Sequence, residues 1–326
     1  MNARFMLVAA LSLVLTLTGC GAGRRGPSGE SKLDADCVKA GWDAVTVNVG
    51  GVDRHLLWKG PKGGAWKNGA IVIMHGGGGE AAHFCAGGRL VQPQVHFGTM
   101  ALERGFAVFT LDATNDKVTD AQGRPCGKRF DFHVATRANL DLPFIEQVIT
   151  RIIPSKRPAN SNPSIFVTGL STGGYMTTRA GAELGDKITA FAPVSAGDPF
   201  GTDVNCDTSL SPRTSAKGVL TDRETGKEIT AKDACASATF AKESPWPSAR
   251  AGRKPTVKQF QDEDDGIVDL SCMRKATALL ERNGYPDAGA FLIKGSGRKS
   301  AFKHLWVDAY NAPLLDFFES VAQKQR

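Results

Sequence analysis

The pentapeptide Gly169-Leu170-Ser171-Thr172-Gly173 has the form G-x-S-x-G, in which small residues on either side let the chain turn sharply and present a serine hydroxyl. That hydroxyl is a poor nucleophile at neutral pH, so a base must take its proton and a carboxylate must orient the base. His304 is the one histidine that follows Ser171, whereas His55, His75, His83, His96 and His133 all precede it and fit the chain order serine, acid, histidine badly. Between them the run Gln261-Asp262-Glu263-Asp264-Asp265-Gly266 offers four acids. The bland alternatives are a Gly/Ser loop, a packing histidine and a solvated acidic or cation-binding loop. What separates the serine from the first of these is its setting between an apolar run and a helical pattern.

His75-Gly76-Gly77-Gly78-Gly79 is the next constellation. Glycines let backbone N–H groups turn toward a developing negative charge, so the amides of Gly77 and Gly78, with that of Thr172, are the expected oxyanion donors. A phosphate loop is the rival reading, but the Lys-Ser/Thr ending of such a loop is missing. There is no CxxC or Cys/His cluster, so no metal or cofactor is expected.

The elements that must hold these residues follow from periodicity. Residues 45–49 and 55–58 alternate around Gly50-Gly51, as an antiparallel pair would. Residues 70–74, 106–111 and 164–168 are short continuous apolar runs, the pattern of strands buried on both faces, and 188–194 is a fourth candidate. A helical pattern precedes Arg104-Gly105, another spans 132–153 and is expected to stop before Pro154, and a third covers 175–184. After 198–254, where periodicity is lost and an insertion is expected, strands at 256–260 and 290–293 and helices at 270–283 and 309–322 resume the alternation. The fold class is therefore α/β, with a mostly parallel sheet covered by helices on both faces and a cap-like insertion.

The N-terminus is of a different kind. Arg4, an apolar run over 5–17 and Leu17-Thr18-Gly19-Cys20 read as a signal peptide, too short to span a bilayer, that ends in a lipobox. Residues 1–19 are expected to be removed, Cys20 acylated, and 20–36 to form a flexible tether to a catalytic domain at 37–326. The N-terminus resembles those of bacterial lipoproteins. With no aspartate after Cys20, that resemblance implies sorting to an outer membrane where one exists. The remaining Cys37, Cys85, Cys126, Cys206, Cys235 and Cys272 point to structural disulfides in an exported chain, with Cys206–Cys235 favoured because it brackets the insertion. The formal net charge of +7 falls to +6 on loss of Arg4. This modest surplus favours anionic surfaces or substrates. The basic residues are scattered with no aromatic-basic module, so no nucleic-acid partner is expected. Nothing in the sequence sets an oligomeric state.

Gly-Leu-Ser-Thr-Gly-Gly-Tyr-Met at 169–176 and Phe-Ala-Pro-Val-Ser-Ala-Gly at 191–197 resemble the extracellular esterases of the polyhydroxybutyrate depolymerase and feruloyl/acetylxylan esterase type, from about residue 70 to the C-terminus. The resemblance implies an α/β-hydrolase fold and a serine hydrolase cleaving carboxylic esters through an acyl-enzyme. Aligning Gly266-Ile267-Val268 with the family's acid motif places Asp265 as the triad acid, with Asp264 the alternative one residue away. Two departures stand out: Gln261-Asp262 replaces a frequent His-Gly, and no glycine precedes His304. No separate polymer-binding domain follows the last helix, so the expected substrates are soluble polyester oligomers or aryl and acyl esters, met at the membrane that Cys20 would anchor to. Some proteins resembling this family hydrolyse poly(aspartic acid), which the basic surplus would favour. The competing class is a non-catalytic surface binding lipoprotein.

Overall fold

A computed structural model describes residues 31–113, 129–132, 139–200, 254–294 and 300–325, together with three two-residue strands between 213 and 229. Its centre is an eight-stranded sheet in the order β1-β2-β4-β3-β5-β6-β10-β11. β1 (Asp43–Val49) and β2 (Val52–Lys59) form the expected hairpin around Gly50 and Gly51, both at positive φ. β2 runs antiparallel to β4 (Phe106–Leu111). From β4 onward the sheet is parallel through β3 (Gly69–Met74), β5 (Ile165–Leu170), β6 (Ala190–Val194), β10 (Thr256–Asp262) and β11 (Asp287–Ile293). β7 (Arg213–Thr214), β8 (Leu220–Thr221) and β9 (Glu228–Ile229) form a separate small antiparallel sheet within the insertion.

The continuous apolar strands are sandwiched, as their sequences require. Along β3 the alternation sends Val72 and Met74 into one core and Ile71 and Ile73 into the other. The first core packs against α3 (Leu142–Gln147) and α5 (Thr172–Glu183), and also against α6 (Leu270–Arg282). The second packs against α1 (Lys32–Lys39), α2 (Gln92–Glu103) and α7 (Asp308–Gln323).

Two expectations need correction. The helix expected to stop before Pro154 continues: α3 passes through a π turn, Val148–Ile152, into α4 (Ile153–Lys156). Pro154 follows directly on the π turn, at the second residue of α4, where the change of hydrogen-bond register accommodates a residue that has no N–H to donate. Residues 32–36, assigned to the tether by composition, instead open α1. Ser31 and Asp34 form a reciprocal capping box there, and Cys37 is held to Cys85 by a disulfide. Cys272 is also disulfide-bonded. The expected Cys206–Cys235 pair, Cys20 and most of the 198–254 insertion lie outside the described residues.

Candidate active site

The parallel register brings the strand exits to one edge. Met74 lies opposite Gly169, Leu170 opposite Val194, Val194 opposite Phe260, and Asp262 opposite Ile293. β4 lies on one side of β3 and β5 on the other, so the order of connection reverses at β3 and β5, the place where open α/β sheets carry their ligands. His75 leaves β3 and Ser171 leaves β5 at that point.

Ser171 sits at φ 54° and ψ −119°, a conformation that non-glycine residues avoid. Its N–H donates to the Val194 carbonyl, and its own carbonyl accepts the N–H of Tyr175, the first bond of α5. The turn is tight enough to exclude any side chain at its glycines. A Cβ on Gly169 would lie 2.6 Å from the Gly173 carbonyl oxygen, one on Gly173 2.3 Å from that of Met74, and one on Gly174 2.6 Å from that of Val194. The glycines of the motif are thus the condition for threading β5 into α5 beside β3. The result is a half-buried serine at the tip of a rigid elbow.

Asp265, in the loop after β10, and His304, at the end of the 3-10 turn Ser300–His304, meet on this edge. Oδ2 of Asp265 lies 2.8 Å from His304 Nδ1, while Oδ1 accepts the N–H groups of Ile267 (2.8 Å) and Val268 (3.0 Å). The carboxylate side chain is fully enclosed and the imidazole 10% exposed. A carboxylate against Nδ1 keeps the ring proton there and leaves Nε2 as the basic nitrogen. Asp264 points elsewhere, to Lys303 Nζ at 2.7 Å, and this exposed pair holds the Asp264 carboxyl below its ordinary range, chiefly through the hydrogen bond from Lys303. Asp262 is buried and accepts the Asp264 N–H, while Glu263 donates its N–H to the Ile293 carbonyl. Of the four acids, Asp265 is the one that faces the histidine.

Gln261 stands where the resembled family often has histidine. The structure gives it work: its buried Nε2 donates to the Val268 carbonyl and closes the loop that carries Asp265. Nearby, burial first and then the charges of Asp265 and Asp262 push the Tyr310 phenol far above its ordinary range, so it stays neutral.

Gly77 and Gly78 occupy the centre of a turn closed by the Gly79 N–H on the Gly76 carbonyl. Gly78 is at φ 77°, as the third residue of a type II turn must be. Both residues are exposed, and a Cβ on Gly77 would lie 3.4 Å from Thr172 Cγ2. Thr172 is the first residue of α5, so its N–H has no partner within the helix. Gly77 and Thr172 are therefore neighbours beside Ser171, and Gly78 follows in the same turn. His55 and His75 cluster around Asp112, and His96 pairs with Asp308. His133 lies outside the described residues.

No family model and no curated protein sequence matches the chain. Solved structures do. FphF, the fluorophosphonate-binding serine hydrolase F of Staphylococcus aureus, is 13% identical over 85% of this chain and 98% of its own, with a TM-score of 0.53. A puromycin-hydrolyzing peptidase of Mycobacterium tuberculosis is 15% identical over 86% of this chain and 39% of its own, at a TM-score of 0.53. The acylaminoacyl peptidase of Pyrococcus horikoshii is 12% identical over 85% and 41%, at 0.51. This chain has the α/β-hydrolase fold.

Within an α/β-hydrolase, the nucleophile turn lies between strand and helix, the triad follows the order serine, acid, histidine, and one oxyanion amide belongs to the residue after the nucleophile. Ser171, Asp265, His304 and Thr172 stand at those places. Likeness at these identities speaks to the fold, so activity is argued below from the site.

Proposed function

We propose that this α/β-hydrolase is a serine hydrolase that cleaves carboxylic esters through an acyl-enzyme. The observation that carries the reading is the enclosed Asp265–His304 pair on the same sheet edge as a serine held at positive φ. Ser171 attacks the ester carbonyl while His304 Nε2 takes its proton. Asp265 holds the ring and stabilises the imidazolium. The amides of Gly77, Gly78 and Thr172 receive the oxyanion, and His304 returns its proton to the leaving alcohol. Water activated by the same imidazole then releases the acid. No cofactor enters these steps.

Polyhydroxyalkanoate-type oligomers and aryl or acyl esters are the proposed substrates. Export and anchoring through acylated Cys20 complete the proposal. The Cys37–Cys85 disulfide supports an oxidising compartment. The test is to assay purified protein and Ser171→Ala side by side on p-nitrophenyl butyrate, hydroxybutyrate oligomers, methyl ferulate and poly(aspartate). Serine-dependent ester cleavage with poly(aspartate) untouched supports the reading. Preferential cleavage of poly(aspartate) replaces it with an amidase of an anionic polymer, and turnover by neither enzyme favours a binding lipoprotein.

A further inference from the structure

We infer that His75 is a positioning residue for the oxyanion hole, acting through the carbonyl of Gly76. This rests on the proposed role of the Gly77 amide. The imidazole is fully buried at the exit of β3, with the Phe130 ring 4.9 Å from its own. Its Nε2 lies 3.3 Å from the backbone N of Ala113. An amide N–H can only donate, so Nε2 is the acceptor and the proton of the neutral ring is on Nδ1. Nδ1 lies 2.7 Å from the Gly76 oxygen, which also takes the Gly79 N–H at 2.9 Å. Asp112 Oδ1 is 3.7 Å from Nε2, beyond hydrogen-bond reach, and accepts the Ala81 N–H at 2.8 Å.

A peptide unit is planar and trans, so fixing the Gly76 carbonyl points the Gly77 N–H the opposite way. Four consecutive glycines have the greatest backbone freedom of any tetrapeptide and cannot hold that orientation unaided. The imidazole supplies the missing restraint. Consecutive residues at the exit of β4 clamp both ends of the segment, Ala113 through His75 and Asp112 through Ala81. His55 Nδ1, 3.2 Å from Asp112 Oδ2, supports the second clamp from β2. The glycine loop is thereby preorganised before substrate arrives, the condition under which such donors are most effective.

The experiment compares wild type, Ser171→Ala, His75→Leu and His75→Asn on a p-nitrophenyl ester, with active-site titration, thermal melts and binding of a trifluoromethyl ketone analogue. An asparagine Nδ2 can replace the Nδ1 donor. Loss of the leucine variant's kcat by about 10²–10³ at unchanged KM, a matching loss of analogue affinity, and substantial recovery in the asparagine variant support the inference. Wild-type kcat per titrated site in His75→Leu, with Ser171→Ala inactive, overturns it and leaves the esterase reading standing. Full activity in Ser171→Ala overturns the esterase reading itself. If His75→Leu does not fold, ¹⁵N chemical shifts of the wild-type imidazole decide: a proton on Nδ1 at neutral pH is required, and one on Nε2 refutes the inference.

Discussion

Asp265 binds His304 with one carboxylate oxygen and two backbone amides with the other, so the side chain is fixed from both ends. The neighbouring pair, Asp264 with Lys303, runs alongside it between the same loop and 3-10 turn. Asp265→Asn should therefore lower kcat by about 10³–10⁴ by offering the wrong partner to Nδ1. Asp264→Asn removes only an exposed ion pair and should change the rate by less than about threefold. Steady-state kinetics on the two variants check this, and the reverse order would move the catalytic acid to Asp264.

Ser171 is held in a strained backbone conformation. Ser171→Gly should relieve a strain of about 1–3 kcal/mol, partly offset by glycine's greater entropy loss on folding. Its unfolding free energy should exceed that of Ser171→Ala, while both lack turnover. Urea titrations measure the difference. A glycine variant less stable than the alanine one would contradict a strained elbow.

The Cys37–Cys85 bridge closes a loop of 48 residues and fastens α1 to the segment after the glycine turn. Replacing both cysteines with alanine should cost about 3–4 kcal/mol and expose α1 to proteolysis. Mass spectrometry after limited digestion, with urea titration, reads both effects. Unchanged stability would mean that packing alone holds α1.

Burial holds the His83 imidazole down at about 4, against the attraction of Asp112. Below pH 6.5 the unfolded chain takes up a proton that the folded chain refuses until about pH 4. This group therefore removes stability as the pH falls through that window, by up to about 3 kcal/mol. His83→Gln should flatten the acid limb of stability against pH. An identical slope in the variant would show that His83 does not contribute to it.

Much of the scaffold was legible because buried parallel strands leave continuous apolar runs and covering helices leave a 3.6-residue period. The runs at 70–74, 106–111 and 164–168 reappear as β3, β4 and β5. Chain order singles out Ser171 and His304 as the candidate nucleophile and base. Asp265 needed a family pattern, because four acids in one loop are equivalent until two amides and a histidine single one out. The contacts of His75 and Asp112 join segments distant in sequence, and that of Gln261 closes a loop on a residue seven positions on; periodicity carries no signal for either. The π turn before Pro154 was missed for a related reason: a local rule for proline gave way to a change in hydrogen-bond register.

The most direct test of the central claim is to react the native protein with a fluorophosphonate and map the adduct by mass spectrometry. Stoichiometric labelling of Ser171, abolished by Ser171→Ala and strongly slowed by His304→Ala, is the predicted result. A native protein that takes no label, or takes it on another residue, would contradict the claim that Ser171 is an activated nucleophile.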